Sequence, residues 1–148
     1  MIKTGYIDLK ELYNKFDLKK EMERKLSSMQ AFSNNFIDSL DLEIMALSKQ
    51  SDQSGGKNVK LEDMIKEQKR QYLVKKAELE DRNKEMAVKY DEQIWNQLNQ
   101  YISDYGETNH YQYVFGVQGT GSIMYASKQN NITEDVVSYV NQRFHGKK

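Results

Sequence analysis

Apolar residues in this chain fall into three successive patterns. Residues 2–8 (IKTGYID) set Ile2, Tyr6 and Ile7 around a glycine, which predicts a short extended segment. From about Leu9 to Tyr105 the vocabulary changes to Lys, Glu, Gln, Asn, Leu and Met, residues that favour long helices. One interruption, Ser51–Asn58 (SDQSGGKN), predicts a turn between two helices of roughly 40 residues, each about 60 Å long. In the third zone, YQYVFGV, the turn QGTG and then SIMYAS predict a β-hairpin, with Tyr111, Tyr113, Phe115 and Val117 on one face. Thr133 ahead of Glu134 and Asp135, followed by Val136, Val137 and Val140 at helical spacing, predicts a short helix to about Phe144 with Thr133 as its N-cap.

Helices of such length need a partner surface, because propensity alone does not hold them. Ile65, Tyr72, Leu79 and Met86 fall seven apart, a sustained heptad position. Met22, Leu26, Met29, Phe36, Leu40, Ile44 and Leu47 follow spacings dominated by four and three. Folding the chain at Ser54–Gly55 brings Leu47 opposite Leu61, Ile44 opposite Ile65, Phe36 opposite Tyr72, Met29 opposite Leu79 and Met22 opposite Met86. These pairs share one register and predict an antiparallel coiled-coil hairpin. The same register sets Asp41 near Lys66–Lys69 and Asp38 near Arg70, a check on the fold rather than a source of stability. Gln68, Lys75 or Lys76, and Arg82 or Asn83 take the alternate seam position, so the seam is sparse and the hairpin pliable.

Length limits the remainder. Of 148 residues, about 50 lie outside the long helices, too few to bury their own aromatic rings. They are expected to meet copies of themselves through Ile2, Tyr6, Tyr111, Tyr113, Phe115 and Tyr125. The expected fold is α+β. A small β-barrel-like oligomeric body (N-terminal strand plus C-terminal hairpin and short helix, residues 1–9 and 106–148) carries a long antiparallel α-helical coiled-coil hairpin arm, residues 10–105 with its tip at 51–58. The N-terminal strand must lie beside the C-terminal hairpin, since the arm leaves and returns at one end. No proline interrupts the helices, and no cysteine offers disulfides or thiol chemistry. Basic and acidic residues number 22 each, which argues against a dedicated nucleic-acid binder. No run of about 18 apolar residues is present to span a membrane.

Candidate chemistry is sparse. His110 and His145 have no second histidine or carboxylate at ligand spacing, so no metal site is expected. Gly116, Gly119 and Gly121 precede a predicted strand rather than a helix, which makes a turn and not a phosphate loop. Carboxylates lie at helix-surface spacing, and no catalytic residues or cofactors are expected. Apolar residues outside the seam are the informative ones. Leu42 and Met45 lie on the far side of the first helix from Phe36 and Ile44; Phe32 and Ile37 flank the seam; Val74 and Val88 point away from the second helix's heptad line, with Leu73 well off it. Phe32, Ile37, Leu42, Met45, Leu73 and Val74 are the candidate contacts for another polypeptide, the alternative being ordinary surface residues or packing between arms. The basic run Lys57–Lys76 is read as a solvated face paired with its partner helix, with weak contact to acidic clients or a membrane surface as the alternative.

Three features resemble the OmpH/Skp family of periplasmic chaperones. Tyr6–Ile7–Asp8 leads from the opening strand into a helical region containing Phe16; the hairpin ends in Tyr125–Ala126; and the chain closes on Ile132, Thr133, Val136 and Asn141. The resemblance runs through the whole chain in order. It implies a homotrimer with a β-barrel body and three helical-hairpin arms, holding unfolded outer-membrane proteins in a central cavity without ATP. It also implies a periplasmic location, with this chain as the mature form, and no catalytic residues. Family members often carry Asp where this chain has Asn131, and the best-known members are distinctly basic, whereas this chain is neutral. A second reading shares the same physics: a trimeric coiled-coil spacer that presents its tip to one specific protein.

Overall fold

Lysine-, glutamate- and leucine-rich sequence without proline propagates as helix until the packing demands otherwise. The computed structural model, which describes residues 1–119 and 121–146, is mostly helical. In order it contains β1 (Thr4–Asp8), α1 (Leu9–Lys15), α2 (Asp17–Gln53), α3 (Val59–Thr108), β2 (Tyr113–Val117), one 3-10 turn (Lys128–Asn130) and α4 (Thr133–Phe144). Helices α2 and α3 form a long helical hairpin, and β1 and β2 form a small two-stranded parallel sheet. The chain divides into two compact units, a terminal unit of residues 1–24 with 89–148 and a hairpin unit of residues 25–88.

In the hairpin unit the reversal uses glycine where the backbone requires it. Gly55 and Gly56 have φ of 75° and 71°, a region costly for side-chain-bearing residues. Asn58 then caps α3, its Oδ1 accepting from the Leu61 amide at 3.1 Å. Ser51, buried at the end of α2, donates its hydroxyl to Glu62 across the turn. Ile44, Leu61 and Ile65 are buried between the helices, while Met29, Leu40, Leu47, Tyr72, Leu79 and Met86 are half-buried. Midway the seam turns polar. Ser33 is buried, its Oγ donating to the Met29 carbonyl at 2.9 Å and accepting from Asn83 Nδ2 at 3.2 Å. Phe36 lies at the seam margin and stacks on Phe32.

The expected cross-hairpin ion pairs do not form. Among the described residues no pairing of Asp38 with Arg70, or of Asp41 with Lys66 or Lys69, comes within 4 Å; Arg70 instead holds Glu67 of its own helix at 2.6 and 3.0 Å. A partner three residues away on the same helix is reached with less ordering of long side chains than one across the seam.

In the terminal unit, one long helix from Leu9 is corrected to two. The chain leaves helical geometry at Phe16 (φ −76°, ψ 125°), although no glycine or proline marks the place. Burial is the cause. The Phe16 ring is fully enclosed, edge-on to Tyr101 at 6.3 Å and to Phe144 at 6.0 Å between centroids. Asn141 of α4 supplies partners for the interrupted backbone: its Nδ2 donates to the Lys15 carbonyl at 2.9 Å and its Oδ1 accepts from the Asp17 amide at 2.8 Å. Around Phe16 gather Ile7, Leu12, Ile94, Leu98, Ile132, Val136 and Val140, with Met22 packed against them.

The β-hairpin is also corrected. β2 pairs in parallel with β1, from Thr4 opposite Tyr113 to Asp8 opposite Val117, so the N-terminal strand does lie beside the C-terminal one. After Gly119 and Gly121 (φ 78° and 108°) no second strand follows among the described residues. The chain runs instead to the far side of β1, where Asn131 bridges Tyr6 and the Ile132 amide donates to the Tyr6 carbonyl at 3.0 Å. Thr133 is not the N-cap but the first residue of α4, and it is buried. Its Oγ accepts from the Asp8 amide at 2.9 Å and donates to Asn131 Oδ1 at 2.6 Å, tying the end of β1 to the start of α4.

Two phenols of this unit are shifted upward. Tyr13 stacks on Trp95 (5.2 Å, 20°) and donates to Asp91 at 2.6 Å; burial, then the Asp91 carboxylate, pushes its pKa up to about 12. Burial, then the neighbouring Tyr111 and Asp135, pushes Tyr105 up to about 12 as well. A raised phenol pKa means that folding favours the protonated form. The stabilisation is therefore complete below the unfolded value near 10 and is lost as pH rises toward 12. Tyrosinate absorbance and far-ultraviolet dichroism are expected to change together in that window; ionisation of these phenols below pH 10 with the fold intact would refute the assignment.

Candidate functional site

Two surfaces leave large apolar groups uncovered, one in each unit. On the hairpin unit, Phe32, Leu42, Met45, Leu73 and Val74 are exposed to between 43% and 66%. Ile37 is half-buried and lines a cleft of about 400 Å³ with Tyr72, Lys76 and Glu80. Val59, Met64 and Val88 are exposed as well. Val59 and Met64 lie off the Ile65–Met86 heptad line, and only the full helical periodicity of α3 marks them as outward-facing. Residues 51–58 at the turn are all polar or glycine; Val59 stands directly after them, and the other exposed apolar groups are spread along both helices.

On the terminal unit, Tyr113 and Phe115 project from one face of β2 and stack at 5.8 Å, 16° apart. Both are exposed, as are Ile2, Met124 and Tyr125. Tyr6, Phe115, Ile123 and Tyr125 line a shallow cleft of about 450 Å³ beside the sheet. Tyr111 differs from its period-2 neighbours. It precedes the strand, packs on the core and stacks on Tyr105 at 5.9 Å, with Lys3 Nζ 4.3 Å from its ring centroid.

Electrostatically these surfaces are mild. The shifted cations, Lys15, Arg70 and Arg143, are raised mainly by hydrogen bonds to Glu11, Glu67 and Tyr139, and Glu67 is lowered by Arg70. Among the described residues no three His, Cys, Asp or Glu side chains cluster to hold a metal. His145 lies 2.8 Å from Asp17, and His110 adopts a left-handed backbone (φ 62°) after α3. Among the described residues no helix is long and apolar enough to cross a membrane.

The class defined by these observations is a helical-hairpin protein with exposed apolar groups along the hairpin and a small two-stranded parallel sheet carrying exposed Tyr113 and Phe115. The family model described as Outer membrane protein (OmpH-like) matches residues 3–140, and the chain belongs to that family. Membership implies a Skp-like chaperone; the family is periplasmic and non-enzymatic. No curated protein matches the chain. The matched span runs from just before β1 into α4, and so includes the Asp8–Thr133 tie between β1 and the start of α4; Asn141 follows directly after it.

Proposed function

We propose that this chain is an ATP-independent holdase that keeps unfolded outer-membrane proteins soluble within a cavity enclosed by the hairpin arms of a homotrimer. The observation that carries the reading is the distribution of exposed apolar residues: along both helices of the hairpin, with a polar turn. A spacer displaying its tip to one partner would concentrate them at the reversal. In this reading residues 1–9 and 106–148 form the oligomerisation body and residues 10–105 the arm. Two strands cannot close a barrel, so copies would cover Ile2, Tyr6, Tyr113, Phe115 and Tyr125 and complete it, with Tyr111 supporting the face from the core side. Many weak contacts in a confined space then replace a single specific site.

Light-scattering mass after size exclusion should give three copies, with or without an unfolded β-barrel protein; a stable monomer overturns the assembly. Several unrelated unfolded β-barrel proteins should remain soluble without nucleotide. The triple replacement Leu42→Ser, Met45→Ser, Val74→Ser removes three apolar contacts and should weaken client capture by on the order of tenfold or more. Undiminished suppression of aggregation by that variant would remove these residues from the client surface.

A further inference from the structure

The two flanks of the hairpin unit differ in chemistry. On one, the cleft holding Ile37 is rimmed by Gln30, Asn34, Asp38, Lys76 and Glu80, an amide and charged surface. On the other, a cleft of about 440 Å³ is walled by Met29, Phe32 and Leu79, with Arg82 at its edge. Ser28, Ser33 and Asn83 complete the lining, and the Ser33 hydroxyl already donates its proton to the Met29 carbonyl and accepts from Asn83. Phe32 is 65% exposed, and its stacking on Phe36 (6.5 Å, 18°) holds the ring in place. Among the described residues no carboxylate lies within 4 Å of the Arg82 guanidinium.

Three groups that favour the π-system of an aromatic ring therefore converge on this cleft: a phenyl ring, a thioether and a guanidinium. An aliphatic side chain would gain only the area it buries. The free guanidinium also complements a negative charge beside the ring.

We propose that this cleft binds an aromatic side chain of an extended, unfolded segment, with a carboxylate adjacent in that segment meeting Arg82. The identity of the donor rests on the holdase reading: strands of membrane-spanning β-barrels carry aromatic girdles at both ends, so such clients supply rings at regular intervals. The chemistry of the cleft does not depend on that reading.

Fluorescence anisotropy of the full chain with short labelled extended peptides tests the proposal, helicity of each variant being checked by dichroism. A peptide carrying Tyr–Glu pairs should bind about tenfold tighter than the same peptide with Leu–Glu. Changing Glu to Lys beside the tyrosine should weaken binding. Phe32→Leu and Arg82→Gln should each reduce the aromatic preference, whereas Lys84→Gln, an equal loss of charge elsewhere on the same helix, should keep it. Equal affinity for the Tyr and Leu peptides, a preference intact in both Phe32→Leu and Arg82→Gln, or tighter binding of the Tyr–Lys peptide overturns the assignment. A chain that shows the aromatic preference but fails to keep unfolded β-barrel proteins soluble sinks the holdase reading and leaves the cleft standing; the converse sinks the cleft alone.

Discussion

Replacing Phe16 with alanine should destabilise the terminal unit by about 3–5 kcal/mol, the largest effect expected of any single change in this chain. The ring is fully enclosed, edge-on to Tyr101 and Phe144, and it is the reason the backbone leaves helical geometry between α1 and α2. Truncation would remove apolar area and leave a cavity that Leu12, Leu98 and Val140 cannot fill without moving α1 and α4. It would also remove the incentive for the break, so α1 and α2 are free to fuse into one helix. The chain's only tryptophan, Trp95, stacks on Tyr13 in the same unit and reports the loss directly. Thermal unfolding followed by its emission should shift downward by about 10 °C or more. A shift of a degree or two would mean that the core closes without Phe16.

Asn141→Leu comes next, with an expected cost of about 1–3 kcal/mol. The native side chain donates to the Lys15 carbonyl and accepts from the Asp17 amide, an arrangement that spans the helix break like a clip. Leucine keeps the volume but leaves the part-buried Asp17 amide without its acceptor. Asn141→Asp retains that acceptor and loses the donor, so its stability should fall between the two. Hydrogen exchange at the Asp17 amide is the sharpest readout: faster in Asn141→Leu, near native in Asn141→Asp. Equal exchange in all three proteins would show that Asn141 does not hold the break.

How far these features could be read beforehand depended on where their causes lie. The helical hairpin was legible because its determinants are local and periodic: the heptad line through Ile65 and Tyr72, and two glycines in a polar stretch. The short C-terminal helix was legible for the same reason. The break at Phe16 was not, since nothing near it in sequence disfavours helix; its cause is a pocket built from Tyr101, Phe144 and Asn141, more than 80 positions away. The missing hairpin has a similar explanation. Aromatic and β-branched residues around a glycine turn announce strand, but they do not name the partner, and here the partner is the first strand in the chain. The apolar cleft at Phe32 was half legible: the exposed ring follows from its place beside the seam, whereas its grouping with Met29 and Arg82 depends on how α2 and α3 pack.

The parallel pairing of Thr4–Asp8 with Tyr113–Val117 has a temporal consequence. A nascent chain presents its first strand long before the residues that complete the sheet exist, and closing so large a loop is entropically slow. The helical hairpin, whose contacts are nearer neighbours, can zip up while the ends still wait. On connectivity alone, the hairpin of residues 25–88 is expected to form before the parallel sheet closes. In that order, the exposed apolar residues of the hairpin, such as Phe32 and Leu42, would be in place while the two terminal strands are still unpaired.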